Sequence, residues 1–223
     1  MDRVLGVDAC KSGWIGIVLE DLEVHAVFGA SITALAERAG AADITAVDMP
    51  IGLPDGSTRQ ADLLAKKQVG SSVFLTPTRA AIAETDHAAA SEVNRRVAGS
   101  GISIQAYSLR PKVLEVDAWV RTTAPGEVVE AHPEVSFRHL AGERLVTGKK
   151  TWAGAAARRA LLAGAGIVLP DDLGEAGKQA GVDDVLDAAV LAWTARRVRL
   201  GEAVSYPDPP ETFSDGLSAA IWA

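Results

Sequence analysis

Several acidic residues of this 223-residue chain fall at the ends of apolar segments instead of on exposed helix faces. Asp8 follows Val4-Leu5-Gly6-Val7, Asp48 follows Ile44-Thr45-Ala46-Val47, and Glu130 lies in Glu127-Val128-Val129-Glu130-Ala131. Asp183, Asp184 and Asp187 open a long apolar stretch near the C-terminus. One acid in such a place is ordinarily a turn or capping residue. Several brought together repel one another, and the remedies are protonation or a bound hard cation such as Mg²⁺ or Mn²⁺. Two such ions about 3.5–4 Å apart would activate a water and stabilise the leaving oxygen of a phosphodiester. Asp184 and Asp187 are three apart and neighbours on a helix surface, with Asp187 at the margin of a stripe made by Leu186, Ala189, Val190 and Trp193. Asp183 has the position of an N-cap.

Basic residues that could hold a phosphate are Lys11, Arg110, Lys112, Lys149 and Lys150, with Arg59, Lys66 and Arg79 behind them; Arg110-Pro111-Lys112 is the favoured group. Each has an equally simple reading as a solvated surface charge. Histidine is the side chain suited to proton transfer at neutral pH, so His132 could act as a general base, but a hydrogen-bonded turn residue fits it as well, with Glu134 opening the next helix. Cys10 is the only cysteine, so it has no internal disulfide partner, and its acidic neighbourhood suits a small structural thiol.

The elements that must position these residues can be traced from periodicity. The first thirty residues give three short apolar runs separated by turns, a strand meander. Ser31 caps a helix that ends near Gly40, and residues 44–48 form a strand stopped by Pro50 and Pro54. A right-handed crossover would lay 44–48 parallel to 4–8, placing Asp8 and Asp48 side by side at the carboxyl edge, where open α/β sheets gather their sites. Residues 59–115 carry helical stretches at about 59–68 and 79–97 and no strand pattern, hence a helical insertion. A fifth strand at 127–131 and helices at about 151–164 and 182–200 follow, and the proline-rich 207–210 reads as a turn. The expectation is one α/β domain, a mixed five-stranded sheet with helices on both faces.

Charge narrows the function. The net charge of −7 suits a nucleic-acid-binding protein poorly, because lysine and arginine supply most non-specific affinity for phosphate. The charge is uneven, however: residues 59–112 hold eight Lys/Arg against four Asp/Glu, and 144–159 hold five against none. An acidic centre between basic segments fits a protein that binds cations at one point and anions around it. No apolar run reaches the roughly 20 residues of a membrane span, and Met1-Asp2-Arg3 leads straight into a strand, so the chain reads as soluble and cytoplasmic.

Taken in order, Gly6-Val7-Asp8-Ala9-Cys10-Lys11-Ser12-Gly13-Trp14, Val47-Asp48-Met49-Pro50-Ile51-Gly52-Leu53-Pro54, Glu130-Ala131-His132-Pro133-Glu134, Lys149-Lys150-Thr151 and Asp183-Asp184-Val185-Leu186-Asp187-Ala188 resemble the DUF429 family of predicted ribonuclease-H-like nucleases. The last motif is also similar, locally, to the acidic helix of bacterial Holliday junction resolvases. The resemblance implies a ribonuclease-H-like fold and a metal-dependent nuclease, with Asp8, Asp48, Glu130, Asp184 and Asp187 holding Mg²⁺ or Mn²⁺ and nucleic acid as the partner. Ala9 stands where a family pattern with glycine after the first aspartate would be broken. Two other readings compete. A non-catalytic binding module would use the basic insertion to hold a partner. A phosphotransferase related to actin-like kinases would need two copies of the fold and glycine-rich phosphate loops; the chain has room for one copy, and Gly99-Ser100-Gly101 is not such a loop.

Overall fold

The computed structural model describes residues 3–21, 23–122, 124 and 126–223. Met1 and Asp2, read above as leading into the first strand, lie outside the described residues. Strands β1 (Arg3–Cys10), β2 (Gly13–Glu20) and β3 (Glu23–Gly29) form the antiparallel meander. Helix α1 (Ile32–Ala39), capped by Ser31, crosses to β4 (Ile44–Val47). β4 runs parallel to β1 with Val7 opposite Val47, and the Asp48 N–H extends the ladder by donating to the Val7 carbonyl at 3.0 Å. Asp8 and Asp48 are therefore neighbours at the carboxyl edge, as the crossover requires.

The insertion is helical as expected: α2 (Gln60–Val69), a 3₁₀ turn (Gly70–Ser72), α3 (Arg79–Ala83), α4 (His87–Ala98), α5 (Ile104–Ser108) and α6 (Arg110–Thr122). The expected helix at 79–97 is broken in two because Asp86 starts a new one, its carboxylate accepting the Ala89 N–H at 2.9 Å. β5 (Glu127–Ala131) pairs parallel to β4, and α7 (Pro133–Ala141), α8 (Trp152–Gly164), α9 (Gly174–Gln179) and α10 (Val182–Leu200) follow.

The sheet has seven strands among the described residues, not five. The tail supplies β6 (Ser205–Thr212) and β7 (Ser218–Trp222), and the order is β3-β2-β1-β4-β5-β7-β6. The segment 207–210 is thus strand and not turn. Prolines lack the N–H a central ladder needs, but β6 is the outermost strand, where that loss is tolerated. β7 is buried between β5 and β6, its Ala-Ala-Ile core matching the interior.

Helices cover both faces, and strand alternation sorts the side chains between them. Val4, Ile44, Ala46 and Val129 pack toward α7, α8 and α10, while Leu5, Val7 and Val47 pack toward α1 and α6. α10 is apolar on nearly every side at its middle, with residues 185–192 all buried, as befits a helix enclosed by its neighbours. No helix of the described residues is long and apolar enough to cross a membrane.

Gly6 decides how close α10 lies to β1. A Cβ at this position would fall onto the Ala188 carbonyl oxygen and the Ala192 nitrogen, and 2.7 Å from the Leu191 carbonyl carbon. These are backbone atoms and cannot swing aside. Gly6→Ala is therefore expected to destabilise the protein by roughly 1–3 kcal/mol or more, as overpacking does. Urea denaturation measures this, and wild-type stability in the variant would refute so close a helix approach.

Candidate functional site

Gly6 and Asp8 point to the same face of β1, two residues apart, so the helix that rests on Gly6 brings its first turns over Asp8. Asp48 shares that face, since Ala46 does. Asp8 and Asp187 are buried, Asp187 completely, and Asp48 is half-buried. The expectation that Asp187 sits at the margin of a stripe is corrected: it is enclosed.

One cation enters this group. Lys149 Nζ donates to Asp187 Oδ2 at 2.5 Å, whereas Asp187 Oδ1 is buried without a hydrogen-bond partner. Burial, then repulsion from Asp48 and Asp187, holds the Asp8 carboxyl well above the usual carboxylate range, with Lys149 pulling it back. Burial also raises Asp48, against His132 and Lys149. Asp187 is pushed up to about 7, first by burial and then by Asp48 and Glu134, although Lys149 opposes this. Desolvation pulls Lys149 down, but Asp187, Asp8 and Asp48 more than offset it and hold the ammonium above the ordinary lysine value. The two partners of one attractive pair are both raised because Asp187 has lost all its water and Lys149 has not.

Glu130 does not join them. Val47 pairs with Glu130 across the ladder, so Glu130 projects to the face opposite Asp48. There it accepts from Arg59 Nη2 at 2.6 Å and from the Ile51 N–H at 2.8 Å. Arg59, fully buried, also faces Asp62 at 3.5 Å. Burial pushes Glu130 up to about 7, with Arg59 lowering and Asp62 raising it. Asp184 is likewise occupied: α10 starts after Gly181, and the Gly181 N–H donates to Asp184 at 3.0 Å, the half of a capping box that a side chain at the third helical position supplies. Asp183 is not the N-cap. It lies in the first turn, 3.8 Å from Lys150, which is 81% exposed.

Two adjoining cavities open beside the cluster; Asp8 and Asp48 line them, and the enclosed Asp187 lines neither. One, of about 250 Å³, is lined by Asp8, Asp48, Thr76, Glu130, His132 and Lys149 among others. The other, of about 490 Å³, shares Asp48, Ser72, Gln105, His132 and Lys149 and adds Arg144, Thr147 and Arg158. The basic wall belongs to the segment around 144–158. Arg158, 2% exposed, donates to the Thr147 carbonyl at 3.0 Å and to Glu134 at 2.7 Å, anchoring the loop that carries Lys149.

Arg79, Arg110 and Lys112 of the insertion, like Arg59, are engaged within the protein. Arg110 donates to the carbonyls of Ile82 (2.7 Å) and Ala83 (3.1 Å) at the end of α3, and Lys112 donates to the Gly13 carbonyl at 3.0 Å while lying over the Trp14 ring. Arg79 pairs with Asp117 and Asp215. The favoured Arg110-Pro111-Lys112 group is therefore corrected, and the insertion lines the cleft with Ser71, Ser72, Thr76 and Gln105 instead. Lys11 is exposed in the β1–β2 turn and lines neither cavity. Cys10 is buried and free. His132 faces both cavities, its Nε2 3.3 Å from the Ser72 carbonyl oxygen and its Nδ1 buried without a partner.

Arg144, Arg158, Ser72 and Gln105 are cleft residues that sequence reasoning missed. The +5 run over 144–159 signals two of them; nothing in the sequence signals Ser72 or Gln105.

Among the described residues, no three acidic, histidine or cysteine side chains are grouped closely enough to form a ready-made metal cage. The donors nevertheless suit a hard divalent ion: carboxylate oxygens of Asp8, Asp48 and Asp187, one of them an enclosed oxygen with no partner. What these observations define is an α/β protein with an acidic, partly lysine-neutralised cleft at the carboxyl edge of a mixed sheet. Residues 6–212 match DUF429, a protein family of unknown function, and the chain belongs to that family. No curated protein and no solved structure matches it.

Two outcomes follow. Arg59→Met leaves Glu130 buried and unpaired and is expected to cost about 3–5 kcal/mol, largely recovered in Arg59→Met/Glu130→Gln; chemical denaturation of the single and double variants measures both. Second, Asp187 and Glu130 titrate near 7 in the folded protein against about 4 unfolded. The folded state holds protons that the unfolded chain has released, so the stability they lend is complete below about pH 4 and lost as pH rises through 7. The melting temperature of metal-free protein should fall between pH 5 and pH 8, in a range of about three pH units. Asp187→Asn should flatten that fall and leave stability at pH 8 equal or higher. A large stability loss in Asp187→Asn would make the carboxylate a structural partner.

Proposed function

We propose that the protein is a metal-dependent phosphodiester hydrolase acting on nucleic acid, on a ribonuclease-H-like fold. The strand order β3-β2-β1-β4-β5, with β1, β4 and β5 parallel, supports the fold reading, β7 and β6 being additions at one edge. The observation that carries the function is the meeting of Asp8, Asp48 and Asp187 at that edge while Asp187 keeps an unpartnered buried oxygen.

Asp8, Asp48 and Asp187 are the residues that would hold Mg²⁺ or Mn²⁺; Glu130 and Asp184 are left out, since Glu130 Oε2 serves Arg59 and Ile51 on the other face of the sheet and Asp184 Oδ2 caps the helix at Gly181. Such an ion supplies a water acidic enough to ionise near neutrality and charge to offset the phosphate. The chain supplies the rest. Arg144 and Lys149, on the wall of the larger cavity, would take the phosphate oxygens. His132, which lines the same cleft, is placed to accept a proton. The neutral wall from Ser71, Ser72 and Gln105 offers hydrogen bonds without strong attraction for a polyanion, in keeping with the net charge of −7.

The absence of a preformed cage among the described residues favours one competing reading, a non-catalytic module on the same fold. Hydrolysis of bis(p-nitrophenyl) phosphate and of structured DNA and RNA, with Mn²⁺ and with chelator, separates the two. Asp8→Asn and Asp187→Asn should each lower the Mn²⁺-dependent rate by at least about 100-fold, the upper end of what losing a supporting residue alone costs. Lys11→Ala should leave it unchanged. An unaltered rate in both aspartate variants would remove this site from the reaction.

A further inference from the structure

We propose that Lys149 is a tethered counter-ion, which neutralises the Asp8, Asp48 and Asp187 group in the metal-free protein and leaves it when a divalent cation binds. The inference rests on the reading of that group as a cation site.

The geometry is that of a partial neutraliser. A lysine kept only to satisfy Asp187 would be expected to come with partners for both carboxylate oxygens, because a buried lone oxygen is costly. Here Oδ2 receives the ammonium at 2.5 Å and Oδ1 receives nothing. The ammonium carries one charge against three carboxylates, and all three register it. One positive charge holds the cluster together without drawing its members into a cage, which agrees with the lack of any three-ligand group among the described residues.

The lysine is also mounted so that it can leave. It sits on neither helix nor strand: α7 ends at Gly142 in the left-handed conformation (φ 76°), and α8 begins only at Trp152. Val146, in the middle of this connection, is 98% exposed. Arg158 fixes the loop at the Thr147 carbonyl, two residues before the lysine, so the backbone is held while the four-carbon stem is not. Lys149 is itself 36% exposed at the side chain and lines both cavities. A rotation of the stem would carry the ammonium out of the acidic cavity into the larger one beside Arg144, where an incoming phosphate would find it. Lysine suits this better than arginine, being a compact charge on a flexible chain with no fork to lock it to one carboxylate.

Displacement makes cation binding weaker than the carboxylates alone would allow, since the ion must replace an existing attraction. Calorimetry with MnCl₂ on the full chain at pH 7.5 tests this. Lys149→Met should bind Mn²⁺ roughly tenfold or more tightly than wild type, and Lys149→Arg, which keeps the charge, should stay near wild type. Lys149→Gln, able to keep a hydrogen bond to Asp187, should tighten in the same sense if the Met variant folds poorly. Mn²⁺ should also raise the melting temperature of Lys149→Met or Lys149→Gln more than that of wild type, because the unpaired Asp187 gains its only partner. Mn²⁺ binding equally to wild type and to the charge-removing variants would overturn the counter-ion role and leave the metal reading standing. No Mn²⁺ binding by any of them would overturn both.

Discussion

The close approach of α10 to β1 at Gly6 is the constraint from which the rest of the site follows. With no side chain between them, the helix backbone lies directly on the strand. A fully buried helix in that position can be apolar all round, as α10 is over residues 185–192. The one acid in that stretch, Asp187, is then forced into the interior beside Asp8 and Asp48. Its burial is therefore a consequence of backbone packing and not of any attraction the carboxylate itself supplies.

Forcing carboxylates inward creates an electrostatic debt that the protein settles in two separate ways. On one face of the sheet, Arg59 sits fully buried between Glu130 and Asp62, and Glu130 gains the Ile51 N–H as well. Both acids there are bound from more than one side, Asp62 by Thr76 as well, although two nitrogens of Arg59 keep no hydrogen-bond partner. On the other face a single half-exposed lysine serves three carboxylates and leaves one oxygen bare. Acids held by a buried guanidinium are braced, whereas an acid with a buried oxygen left bare keeps capacity for another cation. The difference between the two faces separates a brace from a site more clearly than acidity does, since Glu130 and Asp187 are both pushed to about 7.

Much of this was legible in the residues. The meander, the crossover and the adjacency of Asp8 and Asp48 follow from short apolar runs and turn chemistry, because local pattern and chain handedness leave few alternatives. The placing of Glu130 was legible too, but grouping acids by position along the sheet edge obscured it: with Val47 opposite Glu130, alternation alone sends Glu130 away from Asp48. The proline-rich tail misled because proline argues against a strand everywhere except at an edge, and which strand is the edge is a tertiary fact. Arg110 and Lys112 misled for a similar reason. Their partners are backbone carbonyls of Ile82, Ala83 and Gly13, groups that every sequence contains and no sequence distinguishes. Asp184 took the helix-start role assigned to Asp183 because the N-cap is Gly181, two residues before Asp183, and the capping partner is the acid at the third helical position.

The charge pattern acquires a different meaning once these partners are known. The surplus of basic residues over 59–112 looked like an arm for a polyanion, yet Arg59, Arg79, Arg110 and Lys112 are all engaged within the protein. What remains at the cleft is a short basic wall, Arg144 and Lys149, against an acidic floor and a neutral far side. A surface of that kind gains little from the counterion release that drives non-specific binding to long nucleic acids. On the proposed function, selectivity would come from fitting one or a few phosphates between the wall and the floor, so that electrostatic attraction and a bound cation act at the same point. An acidic protein can then handle an anionic substrate, provided that the charges which matter are confined to the cleft and the remainder of the surface is free to repel.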